Sequence, residues 1–323
     1  EPPNNLSMRD TFKVSSLIVK EDTEYTFCHV LGHKLASIET KKNPSKWKDV
    51  IAKCPSGTCS NGCIHGAFQE RFRHEYLSSD QLEKIKAELG NICKRRSDWS
   101  PSGIEQGSCY HALGHLLMYV SNADLAKSVS LCKELAINES NISFSSICLD
   151  GVFMQIFQPL EAEDYSLIRG KAPTKENLTA FCDSQDADAR ASCWTESWPL
   201  LGQALRTVAG VNSLCSHLTG RKQARCYESM FYIMPVQFKL DLDKSFNFCQ
   251  EFSPSLKGKC FAQVSQRLVQ TDFSYIDKAI DFCSRTKEYD PGETCFAELV
   301  SKNSFYKVIG THHPNISHHS YFE

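Results

Sequence analysis

No run of about eighteen apolar residues occurs in the 323-residue chain, so no stretch of it reads as a membrane-spanning helix. Neither sign of charge prevails. Lys and Arg number 36 against 38 Asp and Glu, for a net charge of −2, which lacks the basic excess of a nucleic-acid binder. There is no G-x-S-x-G elbow and no glycine-rich phosphate loop, so neither a serine hydrolase nor a nucleotide site has support. C-x-x-C is also missing, which removes the usual zinc knuckle and, with it, covalent c-type haem. Nor does the chain start with Met. It begins at Glu1 and reads as a mature or trimmed chain whose signal or anchor segment, if any, has gone.

Cysteine is what the chain has in excess. Sixteen, an even number at regular spacing, point to disulfides and hence to a secreted, periplasmic or cell-surface location. Five glycosylation triplets, at Asn5, Asn138, Asn141, Asn177 and Asn315, fit that compartment.

The cysteines fall into two alternating kinds. One kind closes a short amphipathic pattern, as in Asp243-Lys-Ser-Phe-Asn-Phe-Cys249 and Asp277-Lys-Ala-Ile-Asp-Phe-Cys283. The other opens a more apolar pattern, as in Cys148 before Val152-Phe-Met-Gln-Ile-Phe157. Polar turns such as Asp183-Ser-Gln-Asp-Ala-Asp lie between. Each unit then reads as helix A, a turn and helix B, with one disulfide joining the end of A to the start of B. The expected pairs are Cys54–Cys63, Cys93–Cys109, Cys132–Cys148, Cys182–Cys193, Cys215–Cys226, Cys249–Cys260 and Cys283–Cys295, which leaves Cys28 for Cys59. The B helices recur about every 33–46 residues, a solenoid period. In organisation this resembles the cysteine-rich helical-repeat solenoids. The expected fold is all-α, a right-handed α-solenoid of about seven stapled repeats. Its expected divisions are an irregular segment 1–24, His-rich repeats 25–160, structural repeats 161–305 and a polar His-containing tail 306–323. The polar stretch Ser97–Gly107 and the long connection Gln158–Pro173 read as loops, and loops of such length often carry function.

The chemistry concentrates in two copies of one motif, His29-Val-Leu-Gly-His33 and His111-Ala-Leu-Gly-His115. Histidines four apart share a helix face, one turn from each other. When the B helices are aligned on their opening position, His29, His65, His111 and Asp150 occupy one level. His33, Gln69, His115 and Met154 occupy the next. Parallel helices about 8–10 Å apart would bring such levels together. The expected metal ligands are therefore His29, His33, His65, His111 and His115, with Asp150 as a sixth ligand or an acceptor behind the ligands. Gly32, Gly66, Gly114 and Gly151 flank them and suggest close approach, either by a bound group or by a neighbouring helix.

Val30 and Ala112 stand where a zincin needs its general base, so that protease class is excluded. Paired helical His-x-x-x-His is similar to the spacing in type-3 copper proteins, over these two segments only. The leading expectation is a metalloprotein, oxidoreductases included, that holds zinc, copper or iron. The alternatives are a non-catalytic solenoid that takes a protein partner on its concave face, and a bis-His haem or electron-transfer protein.

Overall fold

The structure is a computed structural model that describes residues 6–21, 28–55, 58–59, 62–72, 77–160, 162–216 and 218–301. Among these residues the regular structure is helical, apart from two isolated bridges, Arg96 with Trp99 and Ile137 with Ser143. In chain order the α-helices are α1 (Met8–Glu21), α2 (Cys28–Lys42), α3 (Trp47–Ala52), α4 (Gly62–Phe72), α5 (Ser79–Asn91), α6 (Gly103–Val120), α7 (Leu125–Leu135), α8 (Ser145–Phe157) and α9 (Ala162–Leu167). They continue with α10 (Leu178–Asp183), α11 (Ala187–Glu196), α12 (Trp198–Leu201), α13 (Val208–Cys215), α14 (Gly220–Gln237), α15 (Leu242–Gln250), α16 (Pro254–Thr271), α17 (Ile276–Arg285) and α18 (Thr294–Ser301). None of the described helices is long and apolar enough to cross a membrane.

Two compact units divide the chain. One comprises residues 1–101 and 105–201, the other 102–104 and 202–323. The division falls at Leu201/Gly202.

All sixteen cysteines stand in eight pairs at disulfide distance, with the partners that spacing implies. Their Cα–Cα separations lie between 5.1 and 5.7 Å. The position of the staple differs from expectation. Cys109, Cys193, Cys226 and Cys260 each sit seven residues into their helices, in the second turn rather than at the start. The polar residues before them are first turns, not loops. Asp186 accepts from the amides of Asp188 and Ala189 to cap α11, and Pro254 occupies the first position of α16, where its missing N–H costs nothing. For the same reason the stretch Ser97–Gly107 is a loop only as far as Ser102, since α6 starts at Gly103.

The segment 1–24, expected to be irregular, contains α1, fourteen residues long. Ser7 Oγ accepts the Asp10 amide at 3.2 Å, and Phe12 and Ser15 turn one face inward. That spacing of three or four is helical even though the composition is polar. The tail 306–323 lies outside the described residues.

Packing follows the two helix types. The A helix α17 buries one stripe, Ile276, Ala279, Phe282 and Cys283. B helices are buried over more of their surface, as with Leu149, Val152, Phe153 and Ile156 of α8 and Phe261, Val264 and Leu268 of α16. In the first unit B helices contact B helices: α2 packs on α4 and α8 on α11. In the second, α14 packs on α16 and α16 on α18. Of the glycosylation triplets, Asn5 and Asn315 lie outside the described residues, and Asn141 and Asn177 are exposed. Asn138 differs from these two. Its side chain is buried, donates to Gln106 Oε1 and accepts the amides of Ser140 and Ile142.

Candidate metal centre

The centre is built where α2, α4, α6 and α8 approach one another. His29 and His33 stand one turn apart on α2. A Cβ added at Gly32 would lie 3.1 Å from the Cys63 nitrogen, and one at Gly66 would strike the His33 carbonyl oxygen. The absence of these two Cβ atoms therefore lets α2 and α4 touch backbone to backbone. Gly114 and Gly151 do the same between α6 and α8, against the carbonyls of Cys148 and His111. So the glycines serve helix contact, and no space beside them remains for a flat macrocycle.

Close approach crowds the rings. Centroid separations are 4.7 Å for His29–His33, 4.9 Å for His29–His65 and 5.2 Å for His33–His65. His111 stacks on His65 at 5.2 Å, and His115 lies 5.7 Å from His65 and 5.1 Å from His111. All five expected histidines therefore form one cluster. One ring nitrogen from each of His29, His33 and His65 lies within 4.8 Å of the other two, and among the described residues this is the one group of three metal-type ligands. His111 and His115 border that group, and Asp150, half-buried on α8, lies outside it.

Hydrogen bonds decide which nitrogens carry protons. A carbonyl oxygen only accepts, so a ring nitrogen bonded to one must be N–H. His29 Nδ1 donates to the Cys59 carbonyl at 3.1 Å, and His65 Nε2 donates to the Ser108 carbonyl at 3.2 Å. His33 Nδ1 faces Gln69 Oε1 at 3.1 Å. The orientation of the Gln69 amide is set from its other side, where Nε2 donates to Asp164 Oδ1 at 3.3 Å and to the Tyr119 hydroxyl at 3.2 Å. Tyr119 also donates to Asp164, and Asp164 Oδ2 accepts the Leu160 amide at 3.0 Å. With neutral rings, the lone pairs of the three histidines fall on His29 Nε2, His33 Nε2 and His65 Nδ1. The first two face each other at 3.0 Å, and the third is buried without a hydrogen-bond partner.

Burial holds His33 and His65 well below the usual imidazole pKa of 6.5, and neighbouring histidines, His29 foremost, add to it. Burial also lowers His115, against the opposing pull of Gln155 and Asp164. Burial thus favours the neutral form of these three rings, the state in which imidazole ligates metal. Two nitrogens on one ion are about 4.2 Å apart at most, given metal–nitrogen bonds of about 2.0–2.1 Å. One ring nitrogen of each of the three histidines already lies within 4.8 Å of the others, close to that limit.

Sequence alignment at matched heights anticipated the neighbours Gln69 and Met154, whose sulfur lies 3.3 Å from His111 Nε2. It missed Asp164, Tyr119 and Gln155. Asp164 sits on α9 inside the long connection Gln158–Pro173, only 2 % exposed. The unusual length of that connection was the available signal. Nothing in the local residues distinguishes Asp164 from its acidic neighbours Glu161 and Glu163. A scan against protein-family models gave no match, and searches of curated proteins and of solved structures found no significant relative. The site's own geometry therefore carries the functional reading.

Proposed function

We propose that this chain is an extracytoplasmic metalloprotein whose first unit holds a transition-metal ion on His29 Nε2, His33 Nε2 and His65 Nδ1. The observation that carries the reading is the tautomer pattern. Each of the three rings has one nitrogen committed to a carbonyl oxygen, which leaves the other nitrogens of His29 and His33 facing each other at 3.0 Å and that of His65 buried in the same cluster. Two imidazole nitrogens 3.0 Å apart hold a shared proton or a cation beside them, and a metal ion can take the place of that proton. Three imidazoles suit zinc, copper or iron and leave further coordination positions for chemistry. His111, His115 and Asp150 flank the ion and orient its surroundings. Asp164 acts through Gln69, which it turns so that the amide oxygen meets His33. Eight disulfides support an oxidising compartment. The recurring A–B unit supports a helical-repeat architecture, and an oxidoreductase is the class that copper or iron at this centre would serve. A haem reading has no comparable support, because the glycine-lined faces are closed by backbone.

The same hydrogen bonds favour one alternative, a structural role in which His29 and His65 tie helices together in a non-catalytic binding protein. Elemental analysis of protein never exposed to chelators separates the two. About one equivalent of metal is expected, lost in the double variant His29→Ala/His65→Ala while the helical circular dichroism is retained. Metal-free wild-type protein that also fails to take up added zinc, copper or cobalt would falsify the metal reading.

A further inference from the structure

Beside the three histidines lies a cavity of about 20 Å³. His33 and His65 line one side of it and His29 does not, so the cavity adjoins the ion on the side of those two ligands. His115, Gln155, Tyr119 and Asp164 line it too, and Phe68 and Leu116 supply apolar wall. One water needs roughly 10–15 Å³ on this scale, so the cavity holds one or two heavy atoms, a third being the atom bound at the ion itself, and not a ring.

Two of the lining residues, His115 and Gln155, carry buried polar atoms without hydrogen-bond partners. His115 Nδ1 lies 2.7 Å from Gln155 Oε1 and therefore donates to it, which leaves a lone pair on His115 Nε2. That Nε2 is buried and has no hydrogen-bond partner. The Gln155 amide nitrogen, on a side chain 4 % exposed, is likewise a buried donor with no partner. A donor and an acceptor left unsatisfied in one buried wall are costly unless something in the cavity meets them.

We infer that this cavity is the exogenous-ligand position of the metal centre, and that it admits ligands of one to three heavy atoms, of the hydroxide, peroxide or azide class. The inference rests on the metal reading above. The ligand binds the ion on its His33/His65 side, and an atom of it accepts from the Gln155 amide. A protonated ligand atom donates to His115 Nε2. The substrate class that follows is a small oxygen- or nitrogen-donor molecule, not an extended organic substrate.

The test uses the full chain loaded with cobalt(II), whose visible absorption reports coordination. Azide is expected to shift the spectrum saturably, whereas imidazole is excluded by size and leaves it unchanged. Gln155→Leu removes the amide donor at similar volume and is expected to weaken azide about tenfold, the worth of one hydrogen bond to a charged acceptor. It should leave the cobalt stoichiometry unchanged. A cobalt spectrum that azide does not perturb, or that imidazole perturbs as readily, overturns the inference and leaves the metal reading standing. If no cobalt spectrum develops, the metal reading itself has failed. Should Gln155→Leu not fold, the azide and imidazole titrations of the wild-type chain still decide the matter.

Discussion

A histidine is defined by what meets each of its two nitrogens, and the centre described here is assembled from such pairings. Cys59 and Ser108 contribute backbone carbonyls, and Gln69 contributes a side-chain oxygen held in place by Asp164 and Tyr119. Keeping His33, His65 and His115 neutral has a thermodynamic consequence. Their folded-state pKa values lie below the ordinary 6.5, so the unfolded chain takes up protons that the folded chain does not. Stability is then complete above the unfolded value and declines as pH falls through it toward the lower folded values. The melting temperature of metal-stripped protein should drop between about pH 7.5 and about pH 5.5, and His65→Gln should flatten that slope. An unchanged melting temperature across the interval would contradict the assignment. At this scale the sequence was informative about the histidines, because regular helices convert spacing into height. It was silent about Asp164, whose role depends on a tertiary contact with Gln69 that no local pattern encodes.

Helices come next, and here the glycines matter more than the apolar residues. A Cβ at Gly114 would meet the Cys148 carbonyl and the Val152 nitrogen, both backbone atoms of α8 that cannot swing aside. Gly114→Ala is therefore expected to push α6 from α8 and to destabilise the fold by about 2 kcal/mol, within the usual range for overpacking. Gly170→Ala makes the comparison, since Gly170 meets nothing within 4 Å but has a φ of +73°, so its cost is one of backbone conformation alone. Denaturant titration of both variants gives the two costs, and the metal content of Gly114→Ala reports whether helix separation opens the histidine cluster. If Gly114→Ala binds metal normally at full stability, close helix contact is not what assembles the centre. The cysteine pattern specified A and B helices and their pairing because each staple repeats the same local geometry. Helix starts were harder to read. Short polar runs such as Ser253-Pro254-Ser255 have the composition of a turn and of a first helical turn alike, and only the capping geometry distinguishes them.

The molecule as a whole combines nearly balanced charge, eight disulfides and two compact units, and all five clustered histidines belong to the first. The second unit keeps the stapled helix pairs, while its B helices carry Glu228, Ala262 and Ala297 where the first unit has histidines. Cysteine spacing made the all-helical, disulfide-paired structure legible, and the loss of ligands along the chain pointed to the N-terminal half.

One bridge joins the two themes. Cys59, in disulfide with Cys28, has a left-handed backbone at φ 52°, and its carbonyl is the acceptor that holds the His29 ring. A non-glycine residue keeps that conformation only at a cost of about 1–2 kcal/mol, which the bridge helps to maintain. Breaking Cys28–Cys59 lets the carbonyl leave His29, and with it the tautomer that presents Nε2. Metal affinity and resistance to reduction are then the two halves of one thermodynamic cycle. Bound metal should protect this bridge from thiols by the same factor by which the intact bridge tightens metal binding. Mass-spectrometric mapping of disulfides under graded reductant, with and without metal, measures that factor. Equal lability of the bridge in both forms would mean that the centre does not sense its redox surroundings.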